Sequence, residues 1–189
     1  MRWQQLFADL QAEFDEAAAA EERAELPSRS RAETGAVRLA ERLGGAVGGR
    51  VSLRCRGAGE VAGRLEELGP DWALLTDDAG REVLVALPGV VAVSGLVRST
   101  AATEPASPVR AALDLRRALR GLARDRSAVA VVLDDGAVLT GTVDRVGADF
   151  VELAEHAPDE FRRTGAVRSV RAVVLAAVAV VRTLTPGAA

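Results

Sequence analysis

The 189-residue sequence contains no lysine, asparagine, isoleucine or tyrosine. Those four residues share AT-rich codons, so their joint absence points to a GC-rich genome rather than to selection at a site. Each absence removes chemistry: no Schiff-base or phosphate-loop lysine, no tyrosine acid, no asparagine donor for an oxyanion. All 24 basic residues are arginine, so arginine-richness alone is no phosphate-binding signature. The single cysteine, Cys55, permits no intramolecular disulfide, and the single histidine, His156, permits no histidine cluster around a metal. Neither CxxC nor HExxH occurs. Aromatic residues make up only 3% of the chain, leaving few platforms on which bases could stack. The longest apolar run, residues 172–181, is ten residues long, about half of a membrane span. The opening Met1-Arg2-Trp3-Gln4-Gln5 lacks the basic-then-apolar layout of a signal peptide. These absences lead to the expectation of a cytoplasmic bacterial protein with no cofactor and no metal.

What is present is ordinary globular material, 49% hydrophobic and 27% charged, which excludes wholesale disorder. The net charge of -3 is unevenly spread, and residues 99–127 form the one basic segment, at +3. A pI near 5.4 argues against general nucleic-acid binding.

Residues 2–25 carry Trp3, Phe7, Leu10, Phe14 and Ala17 at helical spacing, which predicts an amphipathic helix ended by Leu26-Pro27. A second helix is expected over residues 31–46, opened by Ser30 and Glu33 as a capping box. This arm either packs on the rest of the chain or dimerises, with Trp3, Phe7, Leu10 and Phe14 as the candidate oligomer contacts. From Arg50 the period changes to two, predicting short strands over residues 51–56, 61–68, 72–76, 82–87 and 90–93. Residues 99–109 read as a linker and residues 110–125 as a helix. That helix sets Ala112, Leu115, Leu119 and Leu122 on one face and Arg110, Arg117, Arg120 and Arg124 on the other. The strand pattern then returns over residues 129–133, 138–146, 150–153, 167–175 and 178–184.

The two strand regions match each other. At an offset of 78, Val51 meets Val129, Gly63 meets Gly141, Asp71 meets Asp149 and Trp72 meets Phe150. Beyond a variable loop the offset becomes 88, pairing Val85 with Val173 and Val93 with Val181. An internal repeat is the reading that follows.

A short helix, then V-x-V-x-L-x-[DN]-G-x-x-x-x-G-x-[LV], then a Gly-x-Asp turn, resembles the Sm-like fold. The stretch from Leu119-Arg120-Gly121-Leu122 through Val129-Ala130-Val131-Val132-Leu133-Asp134-Asp135-Gly136, Gly141-Thr142-Val143 and Gly147-Ala148-Asp149-Phe150 carries the resemblance best. The first region is a weaker copy, with Gly57-Ala58-Gly59 in place of the Asp-Gly turn. The chain is also similar to a family from high-GC, actinobacterial-type bacteria, some members of which carry a transcription-regulator label. The resemblance implies an α+β, mainly β fold: an N-terminal helical arm over residues 1–47, then two tandem Sm-like (Src-homology-3-like) five-stranded small barrels. These would span residues 48–98 and 127–185, joined by the linker 99–109 and the Arg-bearing helix 110–126, each barrel preceded by a helix. Sm-like proteins grip RNA bases with an Asn after the Asp turn and an Arg-Gly pair in the last hairpin. Here the corresponding stretch reads Phe150-Val151-Glu152-Leu153, and the last hairpins read Leu87-Pro88-Gly89-Val90 and Leu175-Ala176-Ala177-Val178. The resemblance therefore implies the fold and not the base pocket, since a carboxylate facing phosphate is repulsive. Two modules in one chain can also pair with each other instead of building a ring.

Individual polar residues receive plain readings. Asp71 and Asp149 are expected to bond their own turn backbones, and Asp77-Asp78 and Asp134-Asp135 to form hairpin loops. His156, in a loop with Glu155, Pro158, Asp159 and Glu160, is expected to be exposed and unpartnered. Cys55, between Arg54 and Arg56, alternates inward with Val51 and Leu53 as a buried inert thiol. No nucleophile, base and orienting group assemble from these residues, so a non-enzyme is expected. The functional expectation is a non-catalytic binding or scaffold protein acting through protein contacts. The alternative is a nucleic-acid-binding regulator using Arg110, Arg117, Arg120 and Arg124.

Overall fold

The computed structural model describes residues 37–96, 113–157 and 167–184, with Glu16, Gly35 and Gly165. The chain divides into two compact units, Met1–Arg38 and Leu39–Ala189. All described strands belong to the second, and the helix expected over residues 2–25 lies outside the described residues apart from Glu16.

The second unit opens with a six-residue helix α1 (Leu39–Gly44). Five strands follow: β1 (Arg50–Cys55), β2 (Gly59–Leu68), β3 (Trp72–Thr76), β4 (Glu82–Ala86) and β5 (Val90–Ser94). Helix α2 (Leu115–Asp125) precedes β6 (Ala128–Leu133), β7 (Val138–Val146), β8 (Phe150–Glu155), β9 (Ser169–Val174) and β10 (Val178–Thr183). Single 3-10 turns, Leu87–Gly89 and Leu175–Ala177, connect β4 to β5 and β9 to β10. Alternating burial along β1 and β2 follows directly from the alternating sequence, Val51, Leu53, Cys55, Val61 and Leu65 facing inward.

All ten described strands form one antiparallel sheet in the order β5-β1-β2-β3-β4-β10-β6-β7-β8-β9. This corrects the expectation of a helical arm followed by two separate five-stranded barrels. The fold is mainly β, and its strands make one continuous sheet joined in the middle by β4 and β10, with Val85 opposite Val180, Leu84 opposite Val181 and Val83 opposite Arg182. Only two α-helices of more than one turn stand among the described residues, α1 and α2. The physical reason is the composition of the joining strands. Val83, Val85, Val180 and Val181 are all at most 2% exposed, so β4 and β10 present apolar edges that gain more by pairing than by facing water.

The two halves of the sheet have matching pairings. Leu53 lies opposite Val93 and Cys55 opposite Val90 in the first; Val131 lies opposite Val181 and Leu133 opposite Val178 in the second, each with an irregular register at that point. The β2–β3 and β7–β8 pairs are also irregular at matching places, after Leu65 and after Val143.

Two clusters of buried side chains form the core, and each draws on both halves. The first gathers Leu43 of α1, Leu53, Leu65 and Leu75 with Val132 and Val180 of the second half. The second gathers Leu115, Leu119, Val129, Val143 and Leu153 with Trp72 and Leu84 of the first. Two glycines show how tightly strands approach. A side chain on Gly63 would collide with the Thr76 carbonyl oxygen, and one on Gly141 with that of Ala154, so matched strands cross at matched glycines.

Candidate functional site

Helix α2 has one buried face and one exposed basic face. Leu115 and Leu119 are buried beneath it, and Arg117, Arg120 and Arg124 lie on its exposed face. Arg110 lies outside the described residues, as do Trp3, Phe7, Leu10 and Phe14. Arg124 sits 3.4 Å from Asp125. Arg116, which the sequence reading did not single out, donates through Nε to Asp114 at 2.9 Å and through Nη1 to the Ala148 carbonyl at 3.3 Å.

The N-terminus of α2 is held from two directions. Asp114 is its N-cap, accepting from the Arg117 N–H at 2.9 Å. Partial burial pushes the Asp114 carboxyl up, but the hydrogen bonds from Arg116 and Arg117 outweigh it and hold the group below the usual carboxylate range. Asp71 reaches across the fold and accepts from the Leu115 N–H at 2.8 Å, and the neighbouring Trp72 Nε1 donates to the Leu113 carbonyl at 2.7 Å. The expected role for Asp71 was a bond to its own turn. The side chain instead anchors the helix of the second half, because the turn bearing it lies under that helix end. Nothing local in the sequence marks a partner 44 residues away.

Around this point lies a cavity of about 280 Å³ bordered by Asp71, Asp114, Arg116 and Asp149 with the apolar Pro88 and Leu175. Asp71, Asp114 and Arg116 are all engaged in the bonds above, and Asp149 is exposed. A second, smaller cavity of about 150 Å³ runs beside α2 between Trp72, Leu84, Leu122 and Val181. Its wall is apolar apart from Glu82 and Thr183.

The other chemistry-bearing side chains of the described residues are bonded or buried within the fold. His156 is 3% exposed, which corrects the expectation of a solvated imidazole. Its Nδ1 lies 2.8 Å from the Ala157 carbonyl, which can only accept, so Nδ1 donates there, and Nε2 shares a 2.8 Å hydrogen bond with the Thr142 hydroxyl. A signal existed in the matched positions: Thr142 stands where the first half has the exposed Arg64. Cys55 is buried as expected, and burial pushes its thiol up, against the opposing field of Arg182. Asp77 does close its own hairpin, accepting from the Ala79 and Arg81 N–H groups at 2.9 Å each. Asp78 is held low by the hydrogen bond from Arg50, 2.7 Å away. Glu155 is held low chiefly by Ser169, with Arg171 adding to it against partial burial. Among the described residues, no three His, Cys, Asp or Glu side chains are grouped as metal ligands. Among the same residues, no helix is long and apolar enough to cross a membrane.

No family model matches the chain, and searches of curated proteins and of solved structures returned no significant match.

Proposed function

We propose that this chain is a non-catalytic binding or scaffold protein that acts through protein contacts. The supporting observation is where its polar and apolar groups face. Asp71, Asp114 and Asp77 are tied into hydrogen bonds that hold a helix end or a turn, His156 is bonded to Thr142 of β7, and Glu155 is bonded across to β9. Large apolar side chains meanwhile face outward: Val138 at the start of β7, and Val91, Val170 and Val174 on the outermost strands, all between 53% and 60% exposed. The two halves, with their shared strand order and shared irregularities, read as two copies of one structural unit.

A second reading is supported by a different observation. Arg117, Arg120 and Arg124 share one exposed face of α2, in the one basic segment of an acidic chain. Such a face can follow a phosphate backbone. One experiment separates the two. Partners are captured from native lysate with the unaltered chain, with Val138→Lys and with Arg117→Ala/Arg120→Ala/Arg124→Ala. Protein partners lost with Val138→Lys and resistant to nuclease support the first reading. Nuclease-sensitive capture, and a salt-dependent mobility shift lost in the triple variant, support the second. Capture unaffected by either variant overturns both.

A further inference from the structure

The seam in the middle of the sheet and the two ends of the sheet are built from equivalent strands. β10 occupies in the second half the place β5 occupies in the first: Leu53 opposite Val93 and Arg54 opposite Ala92 correspond to Val131 opposite Val181 and Val132 opposite Val180. β9 corresponds to β4 in the same way, since Ala73 opposite Val85 matches Val151 opposite Val173. The seam joins β4 to β10. Their counterparts, β9 and β5, are the two outermost strands and, among the described residues, lack a neighbour on one side.

The side chains at equivalent places differ in exposure. Ala86 and Ala179, beside the seam pairings, are 3% and 0% exposed. Val174 and Val91, which hold their places at the two ends, are 57% and 53% exposed. β5 reads Val-Val-Ala-Val-Ser, with none of the charge that usually blunts a free strand edge. An uncharged edge and two exposed valines stand where the chain's own seam buries two alanines.

We propose that β9 of one chain pairs antiparallel with β5 of a second copy, repeating the β4–β10 seam between molecules. This rests on the protein-contact reading and names the partner for these two edges. The register follows from the seam: Val173 opposite Ala92 and Ala172 opposite Val93, with Val174 and Val91 covering each other. The intermolecular seam carries larger side chains. Gly89, whose added Cβ would lie 3.6 Å from the Ala179 backbone, is replaced by Ala177, and Ala179 by Val91. It is therefore more widely spaced and weaker than the one inside the chain. Because the two edges are different surfaces, each paired chain still offers one of each, and association runs head to tail.

The test is the mass of the full chain by sedimentation and light scattering across a hundredfold concentration range. The expected result is a mass that rises beyond a dimer with concentration. Val91→Lys and Val174→Lys each reduce it to a monomer, with circular dichroism unchanged because both sites are exposed. An equimolar mixture of the two variants forms a one-to-one dimer and stops there, since one sound junction remains and the other sets Lys against Lys. If either Lys variant loses its fold, Val91→Thr and Val174→Thr, which retain strand propensity, are expected to weaken association several-fold. A concentration-independent monomer overturns the proposal. So does association that survives both Lys variants, including association abolished only by changing Phe7 and Leu10. The readout is the chain's own mass, so failure here is distinct from failure to capture other proteins.

Discussion

The two halves of the sheet make the same turns and put them to different use. In each, a Gly-x-Asp turn is closed by the same backbone bonds: Gly69 N–H to Trp72 and Leu87 N–H to Asp71 in the first, Gly147 N–H to Phe150 and Leu175 N–H to Asp149 in the second. In the first half the Asp71 carboxylate and the Trp72 indole continue outward to hold the end of α2. In the second, Phe150 has no donor to offer and Asp149 is exposed. The backbone therefore defines the turn, and the side chains decide whether it also serves as a clamp. The seam teaches the same lesson about edges. β4 and β9 are equivalent strands, but one lies in the middle of the sheet and the other at its end.

The comparison breaks most visibly at the seam. Val180→Asp places a carboxylate at a fully buried position and is expected to cost more than about 3 kcal/mol in urea unfolding. The equivalent Ala92→Asp, on an exposed edge, should stay within about 0.5 kcal/mol. Equal losses would mean that the seam and the edge are not the different environments described. Next in size is Thr142→Val, which removes the hydroxyl partner of His156 and leaves a buried nitrogen unsatisfied, at about 1–3 kcal/mol. Arg64→Val, its exposed counterpart, should be near neutral by the same unfolding measurement. A smaller difference separates the two Asp turns. Asp71→Ala should lose about 1 kcal/mol, the usual worth of a helix cap, and Asp149→Ala much less.

The smallest effect is acid sensitivity at Glu155. Its folded-state pKa is depressed by Ser169 and Arg171, so its contribution is present above the unfolded carboxylate range and is lost as pH falls through the folded value. Stability followed from about pH 5 downward should therefore decline less steeply in Glu155→Gln than in the unaltered chain. An identical slope would show that the Glu155 bonds do not persist in solution.

The strand positions were legible because period-two alternation is local. The expected strand over residues 72–76 is β3, and that over residues 138–146 is β7. The joining of strands was not legible, because which apolar edge meets which depends on contacts such as Val85 with Val180, far apart in sequence. The same limit explains Asp71, whose partner lies beyond its own turn, and His156, whose charged neighbours in sequence gave no hint of Thr142 beneath it. Cys55 was legible because its neighbours on the same strand decide which way it faces.

The placement of β10 has a consequence for how the molecule is made. It is the last described strand in sequence, yet it lies between β4 and β6 in the sheet. A ribosome therefore delivers β10 after the other nine described strands, and until residues 178–183 emerge, the edges of β4 and β6 that it covers have no partner in the sheet. Closing this gap requires a long loop, so the final step is a slow one by its topology. That interval is when a nascent chain is most exposed to wrong pairing.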